Sequence, residues 1–396
     1  WMFYKSVATE IKGLNNFSTS KVTDMSRMFN ESKLTTLDLS SFDTSNVTNM
    51  SWMFYKSVAT EIKGLNNFST SKVTDMSYMF GLSKLTTLDL SIFDTSNVTN
   101  MDSMFFNSAA TEIKGLNNFS TSKVTDMSKI FGYSKLTTLD LSSFDTSNVT
   151  NMYQMFYNSA TTEIKGLNNF STSKVTDMSK MFGYSKLTTL DLSSFDTSNV
   201  TNMSEMFYNS AATEIKGLNN FSTSKVTDMS RMFSESKLTT LDLSSFDTSN
   251  VTNMSWVFSN SKATNIVLSG WDTSKVTNMS RMFSSLSTTN VTGLDKLNTS
   301  SVTNMSYMFY KYPGESIELL SFNTSKVTDI SYMFGYSKLD YIDLSSFDTT
   351  NVTNMTNMFQ QVSLITGYAR TSADAAKFND RTVTGTATTN LFTVKN

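Results

Sequence analysis

Glu10, Glu61, Glu112, Glu163 and Glu214, with a run of aspartates and lysines, are the residues with the charge to act as acids, bases or ion ligands. Hydrolysis by paired carboxylates needs two acids set apart in one cleft. Cation binding needs several oxygens converging on a point. The five glutamates instead recur every 51 residues, so each is a copy of one position and not a member of one cluster. Asp43 and its equivalents make poor calcium ligands, because the neighbouring unit offers Ser18 where a second carboxylate would be needed. With no Cys and no His, thiolate and imidazole metal sites, disulfides and the common nucleophile–His pairs are excluded. The expectation is a protein that is not an enzyme and uses no cofactor and no metal.

The elements that would position any site come from repetition. The Val of "VT(N/D)(M/I)" falls at Val22, Val47, Val73, Val98, Val124, Val149, Val175, Val200, Val226, Val251, Val276, Val302, Val327 and Val352, steps of 25 or 26 residues that define fourteen units. To about residue 255 the steps alternate, so the larger period is a 51-residue pair of unlike units, "TEIKGLNNFSTSKVTDMSRMF" (9–29) and "LTTLDLSSFDTSNVTNMSWMF" (34–54). Residues 256–362 are more divergent, and 363–396 are different in kind. A stack of such units forms one solenoid domain over 1–362, closed by a C-terminal cap over 363–396. In the cap, "TSADAAKFN" (371–379) reads as a helix with Ser372 as N-cap, and "NLFTVKN" (390–396) as a last strand. The chain starts inside a repeat, since "WMFYKS" at 1–6 recurs at 52–57. That suggests a piece of something longer. An uncovered N-terminal end at Trp1–Phe3 would allow end-to-end self-association.

Within a unit, Leu37 and Leu39 alternate with Thr36 and Asp38, the period of a short strand. Val47, Met50, Met53 and Phe54 share the spacing of one face of a short helix, preceded by Asp43, Thr44 and Ser45 as natural N-caps. The odd units carry one extra residue near Lys12–Gly13, read as a bulge. The fold expected is therefore an α/β repeat solenoid, leucine-rich-repeat-like, a right-handed stack of about fourteen 25/26-residue coils, each a short strand plus a short helix.

Stacked coils place equivalent residues over one another about 4.8 Å apart. One spine is then Phe17, Phe42, Phe68, Phe93, Phe119, Phe144, Phe170, Phe195, Phe221, Phe246, Trp271, Phe322 and Phe347, and a second runs from Phe29 and Phe54 to Phe359. A polar row of alternating sign, Lys12, Asp38, Lys63, Asp89, Lys114, Asp140, Lys165, Asp191, Lys216 and Asp242, would put each Lys between two Asp neighbours. Such a ladder fixes register or, alternatively, forms a zwitterionic binding strip.

"LTTLDLSSFDTSNVTNMSWMF" and its copies resemble the BspA-like leucine-rich repeat of bacterial surface proteins, and the resemblance covers residues 1–362. "GYARTSADAAKFND" (367–380) is similar to the segment that closes such arrays in lactic-acid bacteria. The resemblance implies a secreted or wall-attached protein of a Gram-positive bacterium, extracellular or on the cell surface, often an adhesin. It names no ligand.

The 32 Lys and Arg nearly balance 34 Asp and Glu, a net charge of −2 that gives no electrostatic case for nucleic acid. No run of apolar residues is long enough to span a membrane as a helix. Five residues after each anchor Val the frame stays fixed while the residue varies, and there Trp52, Tyr78, Trp256, Tyr307 and Tyr332 are candidate binding residues, placed on the outer face of the expected helix. Three functions compete. One is a surface adhesin for a host matrix protein, mucin or cell-surface glycan. Another is a stalk projecting a further domain. The third is a carbohydrate-binding module, which needs a cleft with clustered carboxylates that the sequence does not reveal.

Overall fold

A computed structural model describes residues 2–362, 365–385 and 390–395. Trp1, expected on an uncovered end, lies outside the described residues, as do residues 363–364, 386–389 and 396 of the expected cap. Contacts gather into two units, Trp1–Asn199 and Val200–Asn396, each holding seven of the anchor valines. Both units are β-solenoids, and together they carry about fourteen turns with little helix.

The strands are three residues long in most coils: β1 (Thr36–Asp38), β2 (Glu61–Lys63), β3 (Thr87–Asp89), β4 (Glu112–Lys114), β5 (Thr138–Asp140), β6 (Glu163–Lys165) and β7 (Thr189–Asp191) in the first unit. In β1 only Leu37 points inward, so a strand this short spends one residue on the core and two on solvent. Pairing is parallel, with Leu37 opposite Ile62 and Asp38 opposite Lys63. The second unit holds β8 (Glu214–Lys216), β9 (Thr240–Asp242), β10 (Asn265–Val267), β11 (Val291–Thr292), β12 (Tyr341–Leu344), β13 (Ile365–Ala369) and β14 (Asn390–Val394), with β9, β10 and β11 in one sheet and β12, β13 and β14 in another.

The expected helix over Val47–Phe54 does not form. Asn49 makes single parallel bridges to Asp24 and Asp75, and Ser51–Lys56 is a run of turns. The backbone N–H groups of Met50, Trp52, Phe54 and Lys56 donate to carbonyls of Asp75, Ser77, Met79 and Gly81 in the next coil, at 2.8–3.0 Å. Those of Met53, Tyr55 and Ser57 donate back three residues, to Met50, Trp52 and Phe54. An α-helix would have used every donor inside the segment; here alternate donors are committed to the neighbouring coil. Met50, Met53 and Phe54 still point inward and are fully buried, so the segment keeps the helical spacing of its apolar residues without helical hydrogen bonds. Asp43 likewise does not cap a helix. Its Oδ1 accepts from Ser45 N–H at 3.0 Å, an Asx turn.

The turn run needs two left-handed residues per coil. Trp52 has φ 61° and Lys56 φ 52°. The equivalents of Trp52 in all fourteen coils, and those of Lys56, have φ between 47° and 63°. None of these twenty-nine residues, Lys5 included, is Gly, and none is Val, Ile or Thr. Non-glycine residues enter this region at about 1–2 kcal/mol, and β-branched ones fit it worst. In a chain rich in Thr and Val, their exclusion from both columns follows from that steric limit.

Cross-coil bonds also explain the repeated polar residues. Thr44 Oγ1 donates to the Ser69 carbonyl at 3.0 Å and accepts from Ser69 N–H at 2.8 Å, while Asn46 Nδ2 donates to the Ser20 carbonyl at 2.8 Å. The core between them is stacked aromatic rows. Phe29, Phe54, Phe80, Phe105, Phe131, Phe156 and Phe182 stand 5.6–6.0 Å apart, nearly parallel. In the other row Phe42, Phe68, Phe93, Phe119, Phe144, Phe170, Phe195, Phe221, Phe246, Trp271, Phe322 and Phe347 are buried, whereas Phe17 in the first coil is 39% exposed.

The extra residue of the odd units is not a bulge. Gly64 sits at φ +80° and leads into a 3-10 turn over Leu65–Asn67. At the other end, helix α1 (Ser372–Asn379), the short α2 (Arg381–Thr384) and strands β13 and β14 cover the last coil, with Phe378 and Phe392 against Phe359. The N-cap of α1 is Thr371 and not Ser372: its side chain accepts from Asp374 N–H at 3.1 Å.

Two stability tests follow from this geometry. Gly13→Ala loses only left-handed freedom, about 1 kcal/mol, since its nearest neighbour would be the mobile Asn16 Nδ2 at 3.3 Å. Gly64→Ala adds a Cβ only 2.5 Å from the Ser40 backbone and will lower the urea midpoint further; equal shifts would show that the coils part easily. Ser285, at φ 54°, is half-buried and ties to the next coil through its backbone N–H, which donates to the Tyr310 carbonyl at 2.7 Å. Ser285→Gly will raise the melting temperature and Ser285→Val lower it, each by about 1 kcal/mol in stability; the reverse order would refute the left-handed assignment.

Candidate binding surface

A left-handed residue points its Cβ away from the turn that precedes and follows it, and in a solenoid these side chains form a column up the outside. In the second unit the column reads Glu205, Arg231, Trp256, Arg281, Tyr307, Tyr332 and Asn357. Its middle is continuously stacked. The Arg231 guanidinium lies 4.8 Å from the Trp256 ring, and Arg281 lies 4.3 Å from the other side of the stack at Trp256 and 3.8 Å from Tyr307. Tyr307 and Tyr332 are parallel at 4.6 Å, and Asn357 Nδ2 closes the row by donating to the Tyr332 hydroxyl at 2.6 Å. Tyr310 and Tyr336, three and four residues further along their coils, pack with tilted rings at 5.4 Å and flank this stack. All five stacked residues are half-buried and none enters the core.

In the first unit the column is shorter. Trp52 and Tyr78 stack at 4.0 Å, Tyr55 meets Trp52 edge-on at 4.5 Å, and Arg27 sits 5.4 Å from Trp52. The small, buried Ser103 then interrupts the row. The candidates Trp52, Tyr78, Trp256, Tyr307 and Tyr332 thus fall into two clusters, one per unit, at turn corners and not on a helix face. The sequence reading passed over Arg231, Arg281, Tyr310 and Tyr336. Arg alternating with an aromatic residue at coil spacing was the signal that could have found them.

The strand face holds a different feature. At the 25-residue junctions within the first unit the strands pair, β1 with β2, β3 with β4 and β5 with β6, but none pairs across the 26-residue junction between β2 and β3 among the described residues. Where a later junction closes, Ile266 N–H reaches the Asn290 carbonyl at 3.0 Å and Leu268 N–H that of Thr292 at 2.9 Å. Between β2 and β3 the coils instead leave a cleft of about 260 Å³, lined by Glu61, Ile62, Leu65, Asn66, Leu85 and Asp89. Its equivalents at Glu112–Asp140, Glu163–Asp191 and Glu10–Asp38 measure about 200, 360 and 300 Å³. The sequence shows no such clefts, and each contains a Glu and an Asp. They are also copies of one another, and no group of three or more acidic residues that could hold a metal ion occurs among the described residues.

The split corrects the charge ladder. Lys63 pairs in register with Asp38, Lys114 with Asp89 and Lys165 with Asp140, but the following Asp lies across a cleft, so a Lys is not flanked on both sides. Lys12 lies in a turn and outside any strand, and in the second unit Asp242 faces Val267. Asp38 turns mainly to its own loop. Hydrogen bonds from the Ser40 side chain and N–H hold its carboxyl below the ordinary range, with the Lys63 charge contributing less.

One acid departs from the pattern. Asp102 stands where most coils have Ser. Burial pushes its carboxyl above the ordinary value, against hydrogen bonds from Ser103 and Ser128, both at 2.8 Å. A carboxyl whose folded pKa exceeds its unfolded one weakens the fold when ionised. Asp102→Ser will therefore be more stable than the parent at neutral pH, and the gap will close as pH falls through the raised value to the ordinary carboxylate range. Denaturation midpoints at pH 7 and pH 4 test it; a pH-independent gap would refute it.

No curated protein and no solved structure matches the chain. Four overlapping stretches, residues 1–114, 105–216, 209–311 and 286–382, match one family. They span nearly the whole repeated chain and run into the cap, so the solenoid belongs to the family described as Mycoplasma protein of unknown function, DUF285.

Proposed function

We propose that this solenoid is a non-enzymatic binding scaffold of a cell-surface adhesin, holding a host matrix protein, mucin or glycan on its left-handed column. The observation that carries the reading is the half-buried stack Arg231–Trp256–Arg281–Tyr307–Tyr332, large rigid side chains at positions the frame leaves free. Aromatic and Arg side chains dominate binding energy where they are held in place. The likeness of "LTTLDLSSFDTSNVTNMSWMF" to BspA-like surface repeats supports the same reading. So does the repetition of the clefts, since a catalytic centre is normally a single concave site and these are copies of one another. No helix among the described residues is long and apolar enough to cross a membrane. Attachment to a surface would therefore use something other than such a helix in these residues.

A stalk is the second reading, favoured by the near-identity of the 51-residue pairs, in which "TEIKGLNNFSTSKVTDMS" recurs unchanged. The two are separated by a screen of the purified chain against mucin, collagen, fibronectin, laminin and a glycan array. Saturable binding that Trp256→Ala weakens at least tenfold, with an unchanged melting temperature, is the expected result. A well-folded chain that binds none of them would favour the stalk.

A further inference from the structure

The stack in the second unit leaves two cations without an anion. Arg281 has both guanidinium faces covered, by Trp256 at 4.3 Å and Tyr307 at 3.8 Å. Arg231 rests on the far side of Trp256. Stacking uses the faces of a guanidinium, while its five N–H donors lie in the plane. Neither Arg forms an ion pair with a carboxylate among the described residues. Both are half-buried, and so partly open to solvent. Lys311, one coil on and exposed beside Tyr310, adds a third positive charge.

We infer that this column binds an acidic polysaccharide laid along the stack, its sulfate or carboxylate groups meeting Arg231, Arg281 and Lys311 and its sugar faces resting on Tyr310 and Tyr336. This rests on the binding-scaffold reading and names its ligand. A fixed guanidinium fork matches oxyanions bidentately, and aromatic rings held in place by one another, as Tyr310 and Tyr336 are, offer flat apolar platforms for sugars. Spacing favours a glycan over an acidic peptide. Coils repeat about every 4.8 Å, close to the length of one sugar residue in a linear polysaccharide, so Tyr310 and Tyr336 on successive coils stand about one sugar apart, and Arg231 and Arg281, with the Trp256 coil between them, about two. A peptide carries its carboxylates on flexible stems and gains nothing from a regular platform.

The test is titration of the whole chain with a heparin oligosaccharide, a polyglucuronate, neutral dextran and poly-glutamate, for the parent and for Arg281→Gln, Arg281→Lys and, outside the stack, Lys262→Gln. Heparin and polyglucuronate separate sulfate from carboxylate recognition. Expected are saturable binding to at least one acidic polysaccharide that weakens as salt rises, at least a tenfold loss with Arg281→Gln, a smaller loss with Arg281→Lys, no change with Lys262→Gln, and no binding of dextran. Melting curves establish that each variant is folded; should Arg281→Gln unfold, Lys311→Gln on the exposed rim takes its place, with a loss of at least threefold expected. Absence of binding to both acidic polysaccharides, equal loss with Lys262→Gln, or equal binding of poly-glutamate overturns the inference. Binding of a protein partner that still depends on Trp256, with no polysaccharide bound, would overturn it while leaving the scaffold reading intact. No ligand of any kind would remove both.

Discussion

The parallel exchange of backbone hydrogen bonds between the turn runs of successive coils is what the rest of each unit depends on. Met50, Trp52, Phe54 and Lys56 give their N–H groups to the next coil, while the carbonyls of Met50, Trp52 and Phe54 accept from their own. One coil alone would leave those donors unpaired beside a core of Met and Phe, so coils are stable only in company. The same exchange fixes the distance between coils and with it the 5.6–6.0 Å spacing of the buried phenylalanine row. Two left-handed residues per coil are the condition for making it, and they are held there by bonds on both sides.

How much of this was legible in the sequence divides along that line. Which side chains face inward was readable, because Met50, Met53 and Phe54 recur at a spacing that any inward-facing set must keep, and Leu37 alternates with exposed neighbours. What the backbone does between them was not. A helix repeats its facing every three to four residues, and so does a run of turns with a left-handed residue every fourth place. Periodicity alone cannot separate the two. The separating signal was an absence: no Val, Ile or Thr at Arg27, Trp52, Tyr78 and their equivalents, or at Glu31, Lys56, Leu82 and theirs, in a chain that uses Val and Thr at neighbouring positions throughout. A helix surface would have accepted Thr at some of these places.

The candidate site was half legible for a related reason. The aromatic residues stood out because they vary against a constant frame. Their mutual stacking did not, since it depends on coils being near enough for Trp52 to reach Tyr78 and for Arg281 to enter between Trp256 and Tyr307. The clefts were invisible because they arise from a mismatch of one residue in coil length. Gly64 and the 3-10 turn after it take up that residue on one side of the coil, and the strands on the next junction part.

Where a new side chain can be tried in such a fold is set by which positions already carry another duty. Strand residues fix register, Thr44 and Asn46 satisfy neighbouring backbone, and the Met and Phe rows fill the core. Changing any of these disturbs two coils at once. A left-handed corner residue has met its steric requirement once it is not β-branched, and its backbone, not its side chain, carries the coil-to-coil bond. Arg, Trp, Tyr, Lys, Glu and Asn are then nearly equivalent for stability at that corner and very different for recognition. Because the corners stack, each choice is read together with the choices one coil above and below. Chemistry therefore accumulates along the column without altering the frame, and Arg231 to Tyr332 is the stretch of the second unit where it has accumulated furthest.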